Sequence, residues 1–173
     1  FESQGYEATQ EYLSKFYDGL TLDKDLSSRE NLVVKNNNNN DVYVSVPGTT
    51  GLGDAVKTWG HIISEDQQSI LNMTTGVGGK LFTDRQTYNK RVQTTEDTLD
   101  KIAEKYGDTD TLLMGHSLGG AIVRKVALDN NLSSIIYNSA VGKHRIFKDN
   151  LKKNIELRIK KDIVSMSYHA KPR

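Results

Sequence analysis

The apolar run Thr109–Met114 leads straight into Gly115-His116-Ser117-Leu118-Gly119-Gly120. That hexapeptide opens a segment, Leu118–Leu128, with Ala121, Ile122, Val126 and Ala127 at helical spacing. A short apolar run fits a buried strand, and the segment after it fits a helix packed on the same sheet. Only a sharp turn can join the two, and its three glycines let backbone approach backbone there. Such a junction belongs to a layered α/β architecture rather than to a helical bundle or an all-β sandwich. The flanking sequence agrees. Ser133–Ser139, containing Ile135, Ile136 and Tyr137, reads as the next buried strand, and Ile155, Leu157 and Ile159 alternate as a further one. Upstream, Val92, Leu99, Ile102, Ala103 and Tyr106 share one face of a helix predicted over about 84–106, which Gly107 ends. The alternation predicts a mostly parallel central sheet with helices on both faces.

The rest of the chain fits around that unit. Leu13, Phe16, Tyr17 and Leu20 follow the helix period, so a helix is predicted over about residues 6–20, stopped by the loop Asp23–Ser28. Asn31–Lys35 and Asp41–Val46 flank Asn36–Asn40, and asparagine's tolerance of left-handed backbone predicts an N-terminal β-hairpin with its tip there. Pro47-Gly48-Thr49-Thr50-Gly51-Leu52-Gly53 is too glycine-rich to continue a strand. A helix is expected around Trp59–Ile63, a surface excursion over 64–84 and a short helix over 145–153. At 173 residues the chain reads as one domain spanning 1–173. It begins with Phe1 rather than Met, as expected of a chain truncated at one or both ends.

Composition removes several classes of function. With no cysteine, disulfide scaffolds, zinc–thiolate sites, iron–sulfur clusters and thiol catalysis are excluded. No apolar run approaches the ~20 residues a membrane helix needs, and no signal peptide is visible, so a soluble protein is expected. Net charge is +1, but unevenly spread: residues 1–142 hold 13 Lys and Arg against 19 Asp and Glu, and residues 143–173 hold 10 against 3. Only Phe147 interleaves with the cations from Lys143 to Lys161, which gives no platform for stacking bases, so no nucleic acid is predicted. The basic stretch reads as a solvated helix face and strand edge, with a weak electrostatic dock for an anionic surface, a polymer or an acidic protein partner as the alternative. Asp108 and Asp110 are too few for a calcium site, and nothing calls for a metal or other cofactor.

The chemistry concentrates at the turn. Gly115-His116-Ser117-Leu118-Gly119 is a G-x-S-x-G pattern, which arises by chance in about one in a dozen chains of this composition. Placed between a strand and a helix, it has the setting of a nucleophile elbow. There a serine hydroxyl stands above the sheet, and the backbone N–H of Leu118, at the helix start, points where an oxyanion would form.

Two more segments accompany it: Val42-Tyr43-Val44-Ser45-Val46-Pro47-Gly48-Thr49, followed by Asp54 and Trp59, and Arg158-Ile159-Lys160-Lys161-Asp162-Ile163-Val164. Together the three resemble the alpha/beta-hydrolase superfamily, and within it the fungal-type (class 3) lipases. The segment from Val42 is similar to that family's strand and F-R-G-T/S loop, with Pro47 where the family has arginine. The segment from Arg158 is similar to its strand ending in the triad aspartate. Over about residues 41–164 the resemblance implies Ser117 as nucleophile, Asp162 as triad acid and Thr49 as a further oxyanion donor.

A serine nucleophile needs a base. His116 lies inside the elbow and reads as a packing residue pointing away from Ser117. His61 and His144 both precede Asp162, whereas this fold orders serine, acid, histidine. His169 alone follows the acid, seven residues on. Three alternatives stand: His169 as base, a histidine beyond Arg173, or no competent base. The leading functional reading is an ester or lipid hydrolase making transient contact with a lipid surface. The runner-up is a lipase-like domain without turnover, kept as a structural or interaction module. Its 13 Asn and 16 Lys suit an AT-rich genome and a viral or other large assembly. A thioesterase, peptidase or acyltransferase could use the same machinery.

Overall fold

The computed structural model describes residues 3–48, 85–139 and 154–158. They form α1 (Ser3–Phe16), β1 (Leu20–Leu22), β2 (Leu32–Asn36), β3 (Val42–Val46), α2 (Arg85–Tyr106), β4 (Thr111–His116), α3 (Leu118–Asp129), β5 (Ser133–Tyr137) and β6 (Asn154–Leu157). One sheet holds all six strands in chain order. β1 and β2 pair antiparallel, as do β2 and β3, and the three pairings from β3 to β6 are parallel. This is the mostly parallel alpha/beta sheet with an N-terminal hairpin that the sequence predicts. The expected helix near Trp59–Ile63, the excursion over 64–84, the helix over 145–153 and Ile159 lie outside the described residues.

The core follows from the two-residue period of the strands. Val44 pairs with Leu113, and Val46 with Gly115, which in turn pairs with Ile136. Their shared face is buried against Leu118, Ile122, Val123 and Val126 of α3, with Val92 and Ile102 of α2 in the same cluster. Each such side chain taken fully from water contributes roughly 2 kcal/mol.

The first helix ends earlier than its apolar spacing predicts, and a short strand follows. Gly19 has φ +79, and a Cβ there would meet the Asn38 side chain, so the helix stops and Leu20–Leu22 turns back along β2. Three residues are too few to show a strand period. α1 then covers this sheet edge: the Leu22 N–H donates to Gln10 Oε1 at 2.7 Å and the Tyr6 hydroxyl donates to the Leu22 carbonyl at 3.1 Å. Open edge groups that could template pairing with another chain are thereby occupied. The asparagine run is the hairpin tip, with Asn40 at φ 64, and it also docks: Asn37 Nδ2 donates to Thr21 Oγ1 at 2.9 Å.

Two buried polar clusters tie the loop before β2 to α2. Asn31 is fully buried; it donates to Thr98 Oγ1 at 3.1 Å and accepts from Thr95 Oγ1 at 3.2 Å. The Asp23 side chain, 2% exposed, accepts from the Asp25 and Leu26 N–H groups, from Lys105 Nζ at 2.8 Å and from the Tyr106 hydroxyl at 2.5 Å. Burial alone would raise the Asp23 pKa, but the hydrogen bonds from Lys105, Tyr106 and Leu26 outweigh it and hold the carboxyl below its usual range. Burial, with the bond to Asp23, pushes the Tyr106 phenol up to about 12.

Asp23→Asn is therefore expected to lose about 2 kcal/mol of unfolding free energy at neutral pH, measured by urea denaturation. A depressed carboxylate stabilises above its unfolded pKa, and that contribution disappears as pH falls through its lowered folded value. The gap between wild type and variant should thus close in acid. The raised phenol acts in the opposite sense: its contribution is complete below about pH 10 and is lost as pH climbs towards about 12. Among the described residues, no helix is long and apolar enough to cross a membrane.

Candidate active site

β4 delivers its last residue, His116, to a turn at which Ser117 takes φ 52 and ψ −118. These are the angles of the first corner of a type II′ turn, where glycine is the usual occupant. A side chain held there costs of order 1–3 kcal/mol. Two backbone bonds fix the distortion. The Ser117 N–H donates to the Tyr137 carbonyl at 3.0 Å, prolonging the β4–β5 ladder, and the Ser117 carbonyl accepts from the Ala121 N–H at 3.2 Å, opening α3. One residue thus belongs to both strand and helix. Ser117 is 8% exposed, and its hydroxyl makes no capping bond to the helix it precedes.

Glycine is required on both sides. A Cβ on Gly119 would lie 2.0 Å from the Val46 carbonyl oxygen and 2.6 Å from that of Pro47. One on Gly115 would lie 2.5 Å from the Gly119 carbonyl oxygen. The first turn of α3 therefore seats directly against the end of β3. Leu118, the first helical residue, carries one of the N–H groups that a helix leaves without an internal acceptor.

The chain after β3 passes over the serine. A Cβ on Gly48 would sit 3.3 Å from Ser117 Cβ and 3.0 Å from the His116 carbonyl oxygen. The structure brings Ser117, Leu118 and the Pro47-Gly48 stem together; Thr49, the next residue, lies outside the described residues. So do Asp162, His169, His61 and His144. His116 departs from the packing role read from the sequence. It is exposed, with its ring 5.5 Å from that of Tyr137, on the sheet face away from α3. Alternation explains this, because Gly115 already occupies the inward position.

One residue of the site was not visible in the sequence. Arg91, on the second turn of α2, donates from Nη2 to the Pro47 carbonyl at 2.7 Å. The only hint was the proline at the position where the resemblance leads one to expect arginine. Among the described residues, the groups with displaced pKa values are Lys105 and Tyr106, at the C-terminal end of α2, which leads into the start of β4, and Asp23, which bonds to both. Ser117 stands past the other end of that strand.

The fold is alpha/beta-hydrolase-like: parallel strands β3 to β6, with a strand–elbow–helix unit after β4. The uncharacterised protein family UPF0227 matches residues 64–172. Among solved structures, the chain is similar to the Lip2 lipase from Yarrowia lipolytica, at 15% identity and a TM-score of 0.49, over 83% of this chain and 59% of that one. It is also similar to the lipase from Rhizopus microsporus var. chinensis, at 16% identity and a TM-score of 0.43, over 72% and 46%. A third similar structure is the Rhizomucor miehei lipase propeptide complex, at 16% identity and a TM-score of 0.40, over 70% and 42%. The chain thus spans about three fifths of the Yarrowia lipase, and less of the other two. No curated protein sequence matches it.

Proposed function

We propose that the chain, which belongs to the UPF0227 family, is a serine hydrolase that cleaves carboxylic esters through an acyl-enzyme on Ser117. The observation that carries this reading is the backbone of Ser117, at φ 52 and ψ −118 between β4 and α3. Strain of this kind persists only where surrounding structure imposes it, and it marks functional positions.

In the proposed reaction, Ser117 Oγ attacks the ester carbonyl carbon and gives its proton to the base, for which His169, oriented by Asp162, is the candidate. The oxygen that becomes negative is held by the N–H groups of Leu118 and Thr49. Collapse of this intermediate breaks the carbon–oxygen bond, and the alcohol leaves with the proton from the base. Water then adds to the acyl-serine, releasing the acid and restoring the hydroxyl. A donor pair of this kind stabilises the transition state more than the ground state, since charge appears on the oxygen only there.

The experiment is labelling with a fluorophosphonate probe, with turnover of p-nitrophenyl butyrate and palmitate in parallel. Wild type should label and Ser117→Ala should not. Equal labelling of both, or no labelling of wild type, refutes the proposal and leaves the module without turnover in its place. The ratio of the two ester rates tells a lipase from a short-chain esterase.

A further inference from the structure

Pro47 ends the strand pairing of β3. A proline has no N–H to give to the ladder, so the chain leaves the sheet here with its carbonyl in search of a donor. That oxygen lies in a confined place, since a Cβ on Gly119 would come within 2.6 Å of it. Arg91 Nη2 donates to it at 2.7 Å, across 44 residues of sequence. The next residue, Gly48, is the one whose Cβ position is 3.3 Å from Ser117 Cβ. The Pro47 carbonyl is therefore closely neighboured by the first turn of α3 and bonded by a guanidinium, and the stem beyond it passes close to the serine.

Arg91 itself is well anchored. It sits on a helix of 22 residues, between Tyr88 and Thr95, whose hydroxyl donates to the Arg91 carbonyl at 2.9 Å. A planar guanidinium offers its donors in a fixed fork, so it sets the direction of its acceptor more firmly than a lysine would. We propose that Arg91 is a positioning residue, holding the Pro47 carbonyl so that the Pro47-Gly48 stem keeps its spacing from Ser117. The inference rests on the ester-hydrolase reading and adds to it a residue that acts through the Pro47 carbonyl.

The test follows the rate at which Ser117 Oγ displaces fluoride from a fluorophosphonate, forming the Oγ–phosphorus bond as HF leaves. Arg91→Ala should slow this step by about 10²-fold, the penalty for a reacting group misplaced by about 1 Å. Turnover of p-nitrophenyl butyrate should fall through kcat, with KM changed little. Millimolar guanidinium chloride, far below denaturing levels, should restore part of the rate to Arg91→Ala and none to Ser117→Ala. Arg91→Lys, which keeps charge and stem, should fall in between, and it carries the test should Arg91→Ala not fold.

Two results would overturn the inference while leaving the ester-hydrolase reading intact. One is labelling of Arg91→Lys and Arg91→Ala at the wild-type rate. The other is a loss that tracks the unfolded fraction in a urea titration and does not respond to guanidinium. A wild type that never labels removes both proposals together.

Discussion

Gly119→Ala should unfold at markedly lower urea than wild type, with a loss of about 3 kcal/mol or more. In an ordinary helix the same change would gain about 1 kcal/mol, because alanine is the better helix former. The sign reverses here because the new methyl meets backbone: the Val46 carbonyl oxygen at 2.0 Å, that of Pro47 at 2.6 Å and the Val46 carbonyl carbon at 2.8 Å. None of these can rotate away as a side chain could. Relief requires α3 to withdraw from β3, and that opens the cluster around Leu113, Leu118 and Ile122. Gly120→Ala supplies the control in the same helical turn. Its methyl would lie 3.0 Å from Ile136 Cγ2 and 3.2 Å from both Cα and Cβ of Ser139, contacts that shifts of a few tenths of an ångström relieve. Its cost should be smaller than that of Gly119→Ala, about 1–2 kcal/mol. Equal stabilities for the two variants would show that α3 does not rest on the end of β3.

The same contrast explains what the sequence made legible. The elbow could be read because its demands are local: a strand, a turn that excludes side chains and a helix occupy one continuous stretch. Gly107 could be read as a helix end for the same reason, and it has φ 70 with its N–H donating to the Ala103 carbonyl. The contacts that could not be read join distant parts of the chain. Thr94, Thr95 and Thr98 have the polarity of a solvent-facing stripe on α2, yet Thr95 and Thr98 are buried because Asn31 bonds to both. Asn31 itself reads as the start of a strand. Asp23 reads as a loop residue, and its partners Lys105 and Tyr106 stand 82 and 83 positions away. Arg91 falls in this class too. A polar side chain shows in the sequence only its type; whether it faces water or a buried carbonyl is decided by what the fold sets opposite. The expected acid Asp162 and base His169 belong to residues the structure does not describe, so the described part of the candidate site is the Ser117 turn with the Pro47-Gly48 stem beside it.

Ser117→Gly should abolish ester turnover, by about 10⁵-fold or more, while making the protein more stable by about 1 kcal/mol. The loss follows from the proposed chemistry, since no hydroxyl remains to carry the acyl group. The gain follows from geometry. Ser117 holds φ 52 and ψ −118, a conformation glycine adopts without the clash that a Cβ suffers. A serine before a helix usually compensates by bonding an N–H of the first turn, worth about 1 kcal/mol, and this one makes no such bond. Removing it therefore forfeits no cap. Against the relief stands the greater freedom of glycine in the unfolded chain, which takes back roughly 0.5–1 kcal/mol. The strain of about 1–3 kcal/mol is the larger quantity, so the balance favours the variant. Ser117→Ala separates the two contributions: it loses the hydroxyl but keeps the Cβ, so it should match glycine in lost turnover and wild type in stability. Urea denaturation of the three proteins decides the matter. If glycine proves less stable than alanine, the turn does not strain its occupant, and the backbone at 117 ceases to be evidence for a nucleophile.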